Sequence, residues 1–161
     1  MKTNLLMVCR ANICRSPIAH SVVAHLAQAH GLAALLHVDS AGTHARAPGE
    51  PVDARARAAL AERGYAAPTG RSRRLDPADF SRFDMILAMD RENFADLTAV
   101  CPPEFVHKLG LLLESAQGLP DSEVRDPYFG SREGFERVID LCESAAVGLI
   151  GRLRQGVDRR D

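Results

Sequence analysis

Hydrophobic and polar positions along this chain switch repeatedly between two periods. "TNLLMVC" at 3–9 is a short apolar run, which predicts a buried strand. From Ser16 to about His30 the period becomes helical, with Ile18, Val22 and Leu26 recurring every four residues. Ser16 suits the N-cap and Pro17 the first helical position, and Gly31 ends the helix. "LLHVDSAG" at 35–42 predicts a second strand running into a turn, and 52–63 a helix stopped by Gly64. "FDMILAMD" at 83–90 predicts a third strand, followed by a helix from about Arg91 to Ala99. "VHKLGLLLE" at 106–114 predicts a fourth strand. A polar loop at 121–130 then precedes a closing helix from about Ser131 to Leu153, and "RLRQGVDRRD" reads as a frayed end.

Strands alternating with helices imply an α/β fold, a parallel sheet covered on both faces. Ligands in such folds bind beyond the carboxyl ends of the strands. Cys9, the turn at 40–43 and Asp90 sit at three of those ends.

Composition narrows the class. A length of 161 residues fits one compact domain, 1–161, with a core large enough to need no staples. A formal net charge of -1 gives no bulk attraction to nucleic acid or anionic lipid. No run of 18 or more apolar residues predicts a membrane span, and the N-terminal apolar run is too short for a secretion signal. Cys9, Cys14, Cys101 and Cys142 form neither a C-x-x-C pair nor a dense disulfide framework, which fits a reducing cytoplasm. His20, His25 and His30 recur every five residues, so they do not share a helix face for a metal. Arg71, Arg73 and Arg74 read as a solvated basic loop. The Ala- and Arg-rich composition hints at a bacterial source.

The candidate chemistry lies in "VCRANICRSP". A loop between a strand end and a helix start can aim several N–H groups at one point, where the helix dipole adds positive potential. Such an anion cradle favours the thiolate of a cysteine at its base, here Cys9. Arg15, five residues beyond, supplies a planar fork matching two phosphate oxygens. Asn12 tolerates the left-handed backbone a tight ring needs, and Ser16 can donate to the sulfur. Taken alone, Cys9 also reads as a small buried apolar residue. Displacing an alcohol from phosphorus requires a proton donor, and Asp126 in "RDPYFG" is the candidate. Tyr128 and Phe129 beside it suit an aryl phosphate, although "DPYFG" equally reads as a turn.

"VCRANICRSP", "DSAGT" at 39–43, "DF" at 79–80 with "FDMILAMD" at 83–90, and "DPYFG" at 126–130 occur in one order along the whole chain. Together they resemble the low-molecular-weight protein tyrosine phosphatases. The resemblance implies a flavodoxin-like, doubly wound fold of four parallel strands flanked by helices. It implies two-step hydrolysis of protein phosphotyrosine with no metal or cofactor, and a tyrosine kinase as candidate partner. Cys9 would form a phosphocysteine. Arg15 and the loop amides from Arg10 through Ala11, Asn12, Ile13 and Cys14 to Arg15 would hold the oxyanion. Asp126 would protonate the leaving phenol and then activate water. Asn12, Ser16 and Ser40 would brace the loop, and Cys14 would pair with Cys9 on oxidation.

Several positions depart from that family. Ala11 stands where Gly is usual. His20 and Gly70 replace the partners of a buried Glu–His support pair. Arg46 falls at an aromatic rim position, and Phe129 replaces the second of paired tyrosines. Three other readings share features of the loop. An arsenate reductase would need a further cysteine pair. An arginine phosphatase would tend to carry Thr at Ile13. A binding module would need neither Cys9 nor Asp126.

Overall fold

The computed structural model describes residues 2–119 and 122–158. Strands β1 (Thr3–Cys9), β2 (Leu36–Gly42), β3 (Met85–Ala88) and β4 (Leu109–Leu111) form one parallel sheet in the order β2-β1-β3-β4. Five α-helices accompany them among the described residues: α1 (Arg15–Ala29), α2 (Ala54–Glu62), α3 (Asp79–Arg82), α4 (Arg91–Val100) and α5 (Arg132–Asp158).

Alternation along β1 builds both faces of the sheet. Leu5, Met7 and Cys9 point into a core shared with Ile18 and Val22 of α1 and Phe135 and Ile139 of α5. Leu6 and Val8 point the other way, onto Phe80, Phe83, Ile86 and Leu97. Each fully buried side chain of this size contributes about 1.5–3 kcal/mol. The central strand is thereby fixed in depth and register, and its last residue, Cys9, pairs with Gly42 of β2. Both carboxyl ends open toward the same edge.

Three expectations change. The fourth strand is only Leu109–Leu111, lying between 3-10 turns at Pro103–Lys108 and Leu112–Ser115. Leu112 and Leu113 are buried by that second turn rather than by strand pairing. Helix α1 begins at Arg15 with Cys14 in the cap position and no side-chain cap bond, so Ser16 does not cap it. Helix α5 runs to Asp158, past the expected end at Leu153, while residues 159–161 of the expected tail, like Asp121 of the polar loop, lie outside the described residues. Gly31 does stop α1, with φ of 72°. Among the described residues, no helix is long and apolar enough to cross a membrane.

Candidate active site

Five residues, 10–14, join β1 to α1, and Asn12 turns the loop through a left-handed φ of 59°. Its side chain makes three bonds. Nδ2 donates to Ser16 Oγ at 2.8 Å and to Ser40 Oγ at 2.9 Å, and Oδ1 accepts the Arg73 N–H at 3.0 Å. Ser40 and Ser16 thus hold the positions expected of braces. The loop carbonyls are also occupied: Cys9 O accepts from the Thr43 N–H, Arg10 O from His44 and Ile13 O from Asp53. By contrast, the N–H groups of Ala11, Ile13 and Cys14 have no protein acceptor among the described residues. Together with the N–H groups of Arg10 and Arg15, which also lack a protein acceptor among the described residues, these donors remain for a ligand at the start of α1, where the helix dipole favours an anion.

Cys9 lies at the floor of this ring, buried. Its sulfur accepts the Asn12 N–H at 3.3 Å and lies 3.0 Å from Ser16 Oγ. That hydroxyl accepts from Asn12 and has a single proton to give, either to the sulfur or to Ala41 O at 3.5 Å. Cys14 is a different thiol. Burial foremost, and then Asp53, push it up to about 12, so it stays protonated at neutral pH.

Arg15 is also buried. Nη1 donates to the Asp90 carboxylate at 2.6 Å and to Val124 O at 2.9 Å, and Nη2 lies 3.7 Å from the Asp126 carboxylate. Burial disfavours its charge, but Cys9 and Asp90 more than offset that and raise its pKa. Asp90 was placed at a strand end by the sequence, yet its function was not foreseen. One carboxylate oxygen holds Arg15, and the other caps α4 by accepting the Asn93 N–H at 2.7 Å. The "MDREN" cap pattern was the available signal.

Asp126 sits on the loop before α5, about half exposed, and accepts the Tyr128 N–H at 3.0 Å. Tyr128 and Phe129 form a T-shaped pair with ring centroids 4.9 Å apart. Both line a cleft of about 660 Å³ whose wall also includes Cys9, Arg10, Ile13, Arg15 and Asp126. The structure thus brings Cys9, Arg10, Ala11, Ile13, Cys14 and Arg15 to one cleft with Asp126, Tyr128 and Phe129, whereas Asn12 and Ser16, also expected at the substrate, are buried outside its lining. Ala11 is accommodated in its lining. Arg46 lies at the rim, largely exposed and 3.8 Å from Glu50.

One expectation about the support needs correction. Arg73 is not a solvated basic residue. Its guanidinium binds the fully buried Asp79 at 2.9 Å and Asp39 at 3.1 Å, which fixes the backbone N–H that holds Asn12. The departure at His20 and Gly70 holds as expected: among the described residues the buried His20 Nδ1 has no hydrogen-bond partner, and Gly70 offers no side chain. Burial lowers the pKa of His20, despite Asp39 nearby. Bracing therefore falls to Asn12, Ser40 and the Arg73 segment. Among the described residues, no group of three or more His, Cys, Asp or Glu side chains is placed to hold a metal ion.

Residues 4–159 match the profile of the family described as low molecular weight phosphotyrosine protein phosphatase. The chain is 36% identical over 163 residues to a low molecular weight protein-tyrosine-phosphatase of Streptomyces coelicolor, covering 99% of each. It is similar to the crystal structure of an Entamoeba histolytica protein tyrosine phosphatase with Hepes in the active site, with a TM-score of 0.92 and 39% identity. That match covers 96% of this chain and 99% of the other. It is also similar to the YwlE arginine phosphatase, with a TM-score of 0.85, 27% identity and coverage of 98% and 99%.

Proposed function

The chain belongs to the low molecular weight phosphotyrosine protein phosphatase family, and from that premise we propose that it acts as a single phosphatase domain through a phosphocysteine on Cys9, without a metal. One observation carries this reading. A buried sulfur with two hydrogen-bonding neighbours shares one cleft with the held Arg15 guanidinium and with the Asp126 carboxylate, which lies 3.7 Å from that guanidinium. The free loop N–H groups and the Arg15 guanidinium bind the phosphoryl oxygens. The Cys9 thiolate attacks phosphorus, and the bond from phosphorus to the phenolic oxygen breaks as Asp126 delivers its proton to that oxygen. Asp126, now a carboxylate, takes a proton from water, which attacks phosphorus and releases the thiolate and inorganic phosphate. Positioned acid catalysis of this kind contributes about 10²- to 10⁴-fold.

Tyr128, Phe129 and Ile13 give the cleft an apolar wall for an aromatic ring, which supports phosphotyrosine as substrate. Such a protein substrate has to be made by a tyrosine kinase, the partner class this reading implies. The cytoplasm, with its reduced thiols, is the compartment it fits.

Phosphate release from a phosphotyrosine peptide, with chelator and reductant present, tests the proposal beside Cys9→Ser. Release by the unaltered protein alone is expected. Activity retained in Cys9→Ser, or lost on chelation, refutes the mechanism. A phosphoarginine peptide in the same assay should be the poorer substrate, and the reverse order would move the chain to the chemistry of the arginine phosphatase it resembles.

A further inference from the structure

Nothing in the mechanism above uses Arg55, yet it touches both halves of the cleft. It lies in the first turn of α2, beside the cap residue Asp53. The Asp53 N–H donates to Ile13 O at 2.8 Å, so this end of α2 is tied directly to the phosphate loop. The Asp53 carboxylate accepts from Arg55 Nε and Nη2, each at 3.1 Å. The remaining arm of the guanidinium, Nη1, donates to the backbone carbonyl of Tyr128 at 2.9 Å. Its flat faces are also engaged, at 5.2 Å from the Tyr128 ring and 4.8 Å from that of Phe135. Tyr128 in turn donates its N–H to Asp126. The chain of contacts thus runs from Ile13 through Asp53, Arg55 and Tyr128 to the carboxyl group of Asp126.

We propose that Arg55 is a positioning residue that fixes the acid-bearing loop relative to the phosphate loop, and so sets the reach of Asp126 to the leaving oxygen. This rests on the assignment of Asp126 as the acid. Three properties of the guanidinium are needed together: a bidentate edge for Asp53, a further donor for a carbonyl, and a flat face for the rings. Lysine supplies the charge but neither the fork nor the plane. Without the clamp, the segment at 126–130 keeps its own turn, because the Tyr128 N–H to Asp126 bond is local. What is lost is the distance from that turn to Cys9. Protonation of a leaving oxygen is sensitive to such displacements, and a misplacement of about 1 Å can cost 10²-fold.

The experiment measures kcat/KM, which reports the first chemical step, for aryl phosphates from 4-nitrophenyl to phenyl phosphate. Arg55→Ala and Arg55→Lys are compared in the unaltered and the Asp126→Ala backgrounds. The Asp53 cap accepts the backbone N–H of residue 55, so it survives both changes. Arg55→Ala should reduce phenyl phosphate turnover about tenfold and 4-nitrophenyl phosphate less than threefold, a partial loss of the acid's contribution. In the Asp126→Ala background the same change should cost less than about twofold, because the group it positions is gone. Arg55→Lys should behave as Arg55→Ala. Equal losses on both substrates, full additivity with Asp126→Ala, or a lysine that restores the leaving-group profile would each overturn the clamp. If Asp126→Ala itself shows no leaving-group dependence, the acid assignment fails and the clamp falls with it. A steep Asp126→Ala profile beside a flat Arg55→Ala profile removes the clamp alone.

Discussion

Gly42 offers the sharpest test of how the phosphate loop is held. A Cβ built there would lie 2.6 Å from Arg10 O, 3.0 Å from the Ala11 carbonyl carbon and 3.0 Å from Asn12 N. All three are backbone atoms of the loop, so no side chain can swing aside. Nor is Gly42 free to retreat, since its N–H donates to Arg73 O and its carbonyl accepts from Leu75, each at 2.9 Å. Reaching ordinary contact at 3.4 Å requires a displacement of about 0.8 Å, shared between loop and strand. Overpacking of this kind costs about 1–3 kcal/mol of stability. A shift approaching 1 Å under the reacting centre should lower kcat/KM by up to about 10²-fold. Gly42→Ala is therefore expected to unfold at lower urea yet remain folded, and to lose far more activity than stability at 25 °C. Gly70→Ala serves as the control, because a Cβ there meets nothing within 4 Å. It should fall within about 0.5 kcal/mol of the unaltered protein. The assays are urea denaturation followed by circular dichroism, and aryl phosphate turnover with phosphate as inhibitor. A folded Gly42→Ala with undiminished kcat/KM and phosphate inhibition would show that this close approach does not set the loop.

Other expectations concern single groups. Asp90→Ala removes the nearer and more buried of the two carboxylates beside Arg15 and takes the cap from α4, and should cost roughly 3–5 kcal/mol in urea unfolding. A variant as stable as the unaltered protein would deny the pair its structural role. For His20, burial lowers the folded pKa, so the unfolded chain takes up the proton first as the pH drops. Its contribution to stability is complete above about pH 6.5 and shrinks below it, until the pH passes the lowered folded value. Stability measured at pH 7.5 and 5.5 should therefore fall less in His20→Gln, and an equal fall in both proteins would remove the effect. Burial also raises the Cys14 and Cys142 thiols, so both should resist iodoacetate at pH 7.5 until the protein is unfolded. Rapid native labelling of either, mapped by mass spectrometry, contradicts that.

What the sequence settled by itself is local. The order of strands and helices followed from the change between a continuous apolar run and a period of about four, because each pattern reports which side of a short segment is buried. The strand-to-helix placement of Cys9 and Arg15 and the left-handed turn at Asn12 were legible for the same reason: each depends on a few consecutive residues and on the steric freedom of one backbone. The apolar run at 106–114 misled because burial alone does not distinguish a strand from a turn. Only pairing with β3 decides that, and it extends over three residues. The support of the site was decided by tertiary structure. Arg15 meets Asp90 across 75 positions and Val124 across 109, and Asn12 meets the Arg73 N–H across 61. Arg73 and Arg71 occupy similar sequence surroundings, yet one is locked to the buried Asp79 while the other is exposed. No period or spacing encodes such contacts. They exist because a parallel sheet brings its strand ends to one edge, where buried charges and amides require partners that only the closed fold supplies.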